Sequence, residues 1–370
     1  MSVVDAVRGH VDSYTAGERF AAILVGGFVA AVGLALVSGQ LSGGYLLFLL
    51  GLAGMYVLLS LGLNVQWGYA GLVNFSVVAF WGIGAYSAAL VTAPSAPIPL
   101  ELHPVVGLLV AIVASATVAL LIAVPTLRLR GDYLAIATLG FAEVIRLLML
   151  NERWLTAGGL GIAGIPPILR GISEAIPQVR LNLGVARIEL THGLTNSLLE
   201  FLAVATLVLV VFLGLRRIQR SPWGRVLRTI RADEDLARAL GKDTFRFKLQ
   251  AFVLGSVIMA IAGVFYVHFN RYLDPSDLMA IETFYVWIAV ILGGSGSNRG
   301  AILGGLSVIA ILEGTRLVNA LPLLAGVDIA PLRLFLIGLL VILVIRYKPE
   351  GLLPPQHEHI WPEATQEADR

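Results

Sequence analysis

Residues 45–65 read YLLFLLGLAGMYVLLSLGLNV, an unbroken run without one charged side chain. A helix needs roughly 20 mostly apolar residues to cross the hydrocarbon core of a bilayer, so this run is long enough to span. Its neighbours read the same way. Residues 20–37, 72–91 and 104–124 are also free of charge. Residues 133–150 follow, with Glu143 and Arg146 near one end, then 197–215 and 249–269. The runs 284–292 and 300–312 are short and flank a Gly-rich break. The run 334–345 is short too, and lengthens past Arg333 if that side chain snorkels. The expected fold class is therefore all-α: a polytopic integral membrane protein of about ten transmembrane helices, nine or eight if the short runs re-enter.

Composition agrees. The 370 residues are 57% hydrophobic and only 14% charged, with mean hydropathy +0.85, against about 25% charged in soluble domains. Forty glycines suit close helix packing and broken helices. A net charge of +2 gives no reason to expect nucleic acid. The absence of cysteine excludes disulfides, thiol catalysis and Cys-based metal sites. Residues 1–19 are mixed polar and charged, and the apolar run after them shows no clear cleavage site, so it reads as a retained helix rather than a signal peptide.

Basic residues set the expected orientation. Residues 216–248 hold ten Lys/Arg against four Asp/Glu, and the short link 127–132 holds Arg128 and Arg130. The link 92–103 has no Lys or Arg, and 151–196 has four Arg against three acids. The first two are expected inside and the last two outside. Ten spans then place both termini, 1–19 and 347–370, in the cytoplasm, with a membrane domain over 20–346.

Two Gly-rich strings interrupt this domain. One is Gly68-Tyr69-Ala70-Gly71, followed by Asn74, Ser76, Gly82 and Gly84; the other runs from Gly293, Gly294 and Gly296 to Gly300. Broken helices at membrane depth are tolerated where they line a cavity or are covered by protein. The functional reading makes Gly68, Gly71, Asn74, Ser76, Gly82, Gly293, Gly294 and Gly296 line a solute pathway; the plain reading is helix packing or turns. The strings echo each other, as do Glu143-x-x-Arg146 and Glu313-x-x-Arg316, but no repeat is settled by this.

Residues 216–248 are the most structured loop. Ser221-Pro222 is a helix start, with Ser capping and Pro at the first helical position. Trp223, Val226, Leu227 and Ile230 then form an apolar stripe at i, i+3, i+4, i+7, beside a basic row of Arg225, Arg228 and Arg231. A second short helix opens on Asp233, Glu234 and Asp235, which suit a positive helix N-terminus, and stops at Gly241. Such a segment fits contact with a partner protein; it equally fits a basic helix lying on anionic lipid.

Five stretches carry a resemblance: GYAGLVNFSVVAFWGIGAYSAAL (68–90), LRLRGDYLAIATLGFAEVIRLL (127–148), SPWGRVLRTIRADEDLARALGKDTFRFKLQAF (221–252), ILGGSGSNRGAILGG (291–305) and RYKPEGL (346–352). Together they run through most of 68–352 and are similar to the branched-chain amino acid permease family of ABC importers, most closely its LivM-type subunits. The Asn74-Phe75-Ser76 run and the tail 357–370 depart from the family pattern. The resemblance implies a permease subunit paired with a second, similar permease, driven by two cytoplasmic ATPase subunits and fed by an extracytoplasmic binding protein. It implies a place in the cytoplasmic membrane and a small amino acid of the branched-chain class (Leu, Ile or Val) as solute; urea and short amides are the alternative by the same mechanism. The importer coupling pattern Glu-Ala-Ala-x-x-x-Gly corresponds to Asp235, Leu236, Ala237 and Gly241. It implies that Arg225, Arg228, Arg231, Asp233, Glu234, Asp235, Ala237 and Gly241 form the ATPase-coupling segment, with Ala237 small enough for a partner to approach closely.

The chain has no G-x-x-x-x-G-K-[ST] motif, so ATP and Mg are expected on the partner ATPases, and no cofactor, catalytic residue or metal ligand is expected here. His357-Glu358-His359 reads as a solvated tail. The pairs Glu143/Arg146 and Glu313/Arg316 read as local i,i+3 ion pairs or, under the resemblance, as docking points for the binding protein. His268 reads as a hydrogen-bonded structural residue. An ion-coupled carrier usually needs mid-span charge, of which 20–124 has none; a membrane-embedded enzyme needs clustered His, Asp or Cys; a channel without an ATPase is the third rival.

Overall fold

The computed structural model describes residues 42–355 except 130, 177–178, 183–186, 191 and 320–329. The expected first span (20–37), the segment 1–19 and the tail with His357-Glu358-His359 lie outside the described residues.

Helix α1 (Gly43–Leu63) starts on Ser42, whose side chain accepts from Tyr45 N, and continues as a π-helical segment, Asn64–Tyr69. Helix α2 is Val77–Thr92, α3 Pro104–Thr126 and α4 Asp132–Asn151. Helix α5 is His192–Arg220, α6 Pro222–Ala232, α7 Glu234–Ala239 and α8 Thr244–Asn270. Helix α9 is Ala280–Gly293, α10 Asn298–Asn319 and α11 Ala330–Tyr347. Every expected span within the described residues falls on a helix. Among the described residues, five helices are long and apolar enough to cross a membrane, and α2 and α9 are shorter apolar helices. The chain is thus an all-α, multi-pass membrane protein.

Burial separates the centre from the rim. The apolar windows of α1 and α8 are 61% and 67% buried, whereas those of α3, α4 and α5 are 22%, 22% and 17% buried. In lipid an exposed Leu or Val costs nothing, so the rim helices carry bare apolar faces, such as Leu121 on α3 and Ile136 on α4. Helix α8 packs along α2, α3 and α1; α1 also meets α5 and α10, and α9 packs on α10.

Four boundaries differ from the sequence expectation. The run 72–91 is not helical throughout: its first residues are irregular and α2 begins at Val77. Side chains hold this loop open. Asn74 Nδ2 donates to Gln66 Oε1 at 2.7 Å, while Asn74 Oδ1 accepts from Ser76 N and Oγ. Phe75 N donates to Thr138 Oγ1 and Trp287 Nε1 to the Asn74 carbonyl. Backbone groups are thereby satisfied at membrane depth without helix, as lipid demands. The segment 216–248 is narrower than expected, because α5 runs to Arg220 and α8 begins at Thr244. The short run 300–312 is part of a full 22-residue helix. Finally, α11 runs back past Arg333 to Ala330. The stretch 151–196 carries one-turn helices, a two-residue strand Ile162–Ala163 paired with Tyr272–Leu273, and a hairpin of Val179–Asn182 with Arg187–Leu190.

Candidate functional site

The two Gly-rich strings meet. Asn64, on the π-helical end of α1, accepts from Gly296 N at 2.7 Å and donates to Asn298 Oδ1 at 3.2 Å. Tyr69 OH donates to the same Asn298 oxygen. Gln219, on the last turn of α5, donates to the Gly296 carbonyl at 3.0 Å and accepts from Asn298 Nδ2. A Cβ on Gly68 would lie 2.6 Å from Gly296 N, so only glycine lets the strings touch. Gly294 and Gly296 turn the chain with φ of 114° and 89°, where L side chains are strained. The carbonyls left open at the end of α9 are taken by the chain's last described turn: Leu352 N donates to Leu292 O and Leu353 N to Gly293 O, both at 2.9 Å.

Arg231 locks this junction from outside. It lies on α6, and its guanidinium donates to the Gly68 carbonyl and, at 3.0 Å, to Ser295 Oγ. One side chain of the basic loop therefore binds both Gly-rich strings. Its burial there lowers the guanidinium pKa from the ordinary value, yet Arg stays charged in proteins. The rest of the row bonds to the end of α5. Arg225 Nη1 donates to Arg220 O and Arg228 Nη1 to Gln219 O, at 3.2 and 3.1 Å. These carbonyls end α5, which a helix leaves unsatisfied and negative.

Helices α6 and α7 form as their sequence dictates. Ser221 Oγ accepts from Gly224 N, and Asp233 Oδ1 accepts from Leu236 N at 2.9 Å. Leu227 and Ile230 of the apolar stripe are buried, and Trp223 Nε1 ties α6 to α8 through Gln250. After α7, Gly241 N donates to Arg238 O and Lys242 N to Ala237 O, the paired bonds of a Schellman turn around a glycine with φ 76°. Glu234 anchors α7 to α8 through Lys248 Nζ at 2.5 Å and Thr244 Oγ1 at 3.1 Å. Partial burial alone would raise its pKa, but Lys248, Thr244 and Arg238 together hold it below the ordinary carboxylate value. The expectation for Ala237 is corrected: its side chain is fully buried against its own chain, so it is not a surface for a partner. Leu236 and the C-cap residue Leu240, four positions apart, are exposed instead.

The remaining expected residues lie elsewhere. Asn74 and Ser76 are fully buried in the loop before α2, and a Cβ on Gly82 would meet the Leu278 side chain at 2.2 Å. Gly71 lies against Arg231. Arg146 and Glu143 make a two-bond pair, at 2.9 and 2.6 Å, on the open face of α4. Glu313 is buried on α10 and accepts from Tyr45 OH at 3.5 Å; the Arg316 side chain lies outside the described part of the structure. His268 is buried, with Nδ1 2.7 Å from the Pro166 carbonyl. Two carboxylates escaped the sequence reading. Glu200 lies inside the expected span 197–215 and is buried. Glu282 lies two residues ahead of the run 284–292, inside α9, and accepts from Tyr56 OH at 2.5 Å. Asking of each acid how far it sits from the end of its apolar run would have found both.

Fold and junction define a class first: a polytopic all-α permease with two facing broken helices under a basic helix pair. The chain belongs to the branched-chain amino acid transport system / permease component family, whose model matches residues 45–345. It is 33% identical over 304 residues to the high-affinity branched-chain amino acid transport system permease protein LivM of Escherichia coli, covering 81% of this chain and 68% of that one. It is 25% identical to the LivH permease of Escherichia coli, over 71% of this chain and 82% of that one. It is 27% identical to the permease protein BraD of Pseudomonas aeruginosa, over 68% and 78% respectively. No solved structure matches it.

Proposed function

We propose that this chain is the membrane subunit of an ATP-driven importer that passes a branched-chain amino acid into the cytoplasm by alternating access. The observation that carries the reading is Arg231: a helix pair outside the bilayer is bonded directly to both breaks in the membrane helices. Force applied to α6 and α7 thus reaches the two places where the spans are least regular. In this reading α6 and α7 face the cytoplasm and rest on an ATPase subunit, with Leu236 and Leu240 as the apolar contacts. ATP and Mg bind on that partner. Its closing motion shifts the equilibrium between inward- and outward-open forms. A second, similar permease completes the channel, and an extracytoplasmic binding protein delivers solute to the stretch 151–196. Both termini lie in the cytoplasm, and the bilayer is the cytoplasmic membrane. The likeness to LivM and LivH, two permeases of branched-chain amino acid transport, supports the solute and the pairing.

The test is reconstitution of the chain with its co-encoded permease, ATPases and binding protein into liposomes. Leucine uptake that requires ATP and survives an uncoupler is expected. Uptake that an uncoupler abolishes at constant ATP makes the chain an ion-coupled carrier. Uptake of urea or acetamide without leucine overturns the solute class. Purification without any P-loop protein refutes the ATP-driven mechanism.

A further inference from the structure

Both ends of α4 are marked. Asp132 stands in its first turn, and past Asn151 come Glu152 and an exposed Trp154, whose indole Nε1 donates to Glu152 at 2.8 Å. Trp at a span end belongs to the membrane interface. The helix has 20 residues, a rise of about 30 Å, which matches the hydrocarbon layer. Glu143 therefore lies deep, roughly 16 Å from the Asp132 end and roughly 12 Å from the Asn151 end. Its carboxylate pairs with Arg146 at 2.6 Å, yet 46% of the Glu143 side chain is exposed. Pairing lowers the cost of the charge but does not cover it, and charged groups within spans face protein or a cavity. The bare faces of α3 and α5 carry nothing similar. Helix α3 has no charged residue, and Glu200, the only charged residue of α5 before Arg216, is buried in its own chain.

Beside Glu143 the outer face of α4 is a stripe of Tyr133, Ile136, Gly140, Val144 and Leu147, spaced by three and four residues and all exposed. Other glycines in the spans admit neighbouring backbone: a Cβ on Gly84 would collide with the Ala260 carbonyl, and one on Gly263 with that of Trp81. A Cβ on Gly140 meets nothing within 4 Å, so its own chain gives no packing reason for it. Small residues in membrane helices serve the close approach of another helix. The opposite face of α4 is engaged already, since Thr138 Oγ1 accepts from Phe75 N in the loop before α2.

We propose that this stripe of α4 is the seam on which the second permease packs, with the two subunits closest at Gly140 and the Glu143–Arg146 pair shut between them. This deepens the transport reading above and rests on it. Lipid tails offer the exposed carboxylate nothing. A soluble binding protein on the outer surface does not reach a side chain roughly 12 Å inside the layer. A membrane helix of a partner permease covers the pair and fills the open space over Gly140 at once. The seam lies one helix away from residues 71–76, to which α4 is bonded through Thr138, so the partner stands beside one of the two broken stretches.

Two measurements on the complete transporter in lipid vesicles test the seam. A photoreactive benzophenone side chain is placed at Ile136 or Val144 and, as similarly bare controls, at Leu121 on α3 or Leu209 on α5. Irradiation is expected to give at least fivefold more permease–permease adduct from the two α4 positions than from the controls. Gly140→Trp is expected to lower co-purification of the second permease at least tenfold, while the isolated chain melts as the native one does, because nothing in its own fold meets the added side chain. The cross-links decide the matter even where that variant upsets the fold. Lipid adducts alone at Ile136 and Val144, adducts with the binding protein in place of a permease, or equal permease adducts at the controls overturn the proposal. So does native retention of the second permease by G140W. A native transporter that purifies with a single permease refutes the pairing in the transport reading itself, which separates the two failures.

Discussion

The two ends of α9 are built to opposite rules. At the Gly293 end the polar groups are shared out among neighbours: Gly296 between Asn64 and Gln219, Ser295 to Arg231, and the last carbonyls of α9 to Leu352 and Leu353. Around the Ala280 end, Trp81 Nε1 and Tyr86 OH are buried without partners. Buried polar groups in proteins are nearly always paired, and a saturated network stiffens what it joins. The contrast teaches a division of labour within one 14-residue helix. The saturated end is tied to α6 through Arg231, and the other end keeps two buried donors without partners.

The largest effect that would break this contrast is expected at Gly294. Gly294→Val forces a branched side chain into φ 114°, against carbonyls 2.9–3.0 Å from its Cβ. Strain of about 1–3 kcal/mol and overpacking of about 1–3 kcal/mol add, so uptake should fall to background with a much lower yield of monodisperse complex. Native yield and uptake would show that the saturated end is not rigid. Next comes Arg231→Gln, which removes two bonds from a charged donor. At about 1.5–3 kcal/mol for such bonds, uptake should drop roughly 10- to 150-fold while ATP hydrolysis continues.

A smaller loss is expected at the exposed contact. Leu236→Asp with Leu240→Asp should weaken ATPase co-purification about tenfold, as for a modest interface position, and leave the helical circular dichroism unchanged. Full retention would move the partner's seat away from α7. The smallest effect sharpens the anchor of α7. Glu234→Gln breaks the partly buried pair with Lys248 but keeps a polar group in place, a loss of about 1 kcal/mol, so the melting temperature should fall by about 4 °C or less. The Glu234 pKa is held below its ordinary value, so its contribution is present above the ordinary carboxylate range and lost as pH falls through the folded value. Native and variant should therefore differ at pH 7 and 5.5 and converge below about pH 4; a constant difference down to pH 3 would remove the ion pair from the account.

The spans were legible because lipid imposes one rule, about 20 apolar residues per crossing, and 45–65, 104–124 and 249–269 obey it. Local signals were legible too: the Ser221 cap and the Gly241 turn are set by residues within five positions of each other. The junction was not. Arg231 and Gly68 are 163 positions apart, and nothing in the basic row marks it as the side chain that turns inward. The loop before α2 was read as helix because 72–91 is uniformly apolar enough; the capture of Asn74 by Gln66 that unwinds it folds the loop back on the π-helical end of α1. Ala237 was assigned outward on the coupling pattern and on its size, since a six-residue helix has too little periodicity to show which face is buried. Glu282 was missed because the run boundary was drawn at Phe284, although α9 starts at Ala280.

The central claim is that motion of α6 reaches the broken helices through the contact of Arg231 with Ser295. The absence of native cysteine allows it to be tested by locking that contact. In the complete transporter carrying Arg231→Cys and Ser295→Cys, uptake is measured before cross-linking with a short bifunctional thiol reagent, after it, and after reductive release of the bridge, and is compared at each stage with each single variant. The account predicts that the double variant has lost most leucine uptake, that the bridge, by tying α6 to the break again, restores it, and that release abolishes it once more, with the single variants unaffected by the reagent. Uptake that proceeds unchanged through a fully bridged junction would contradict it.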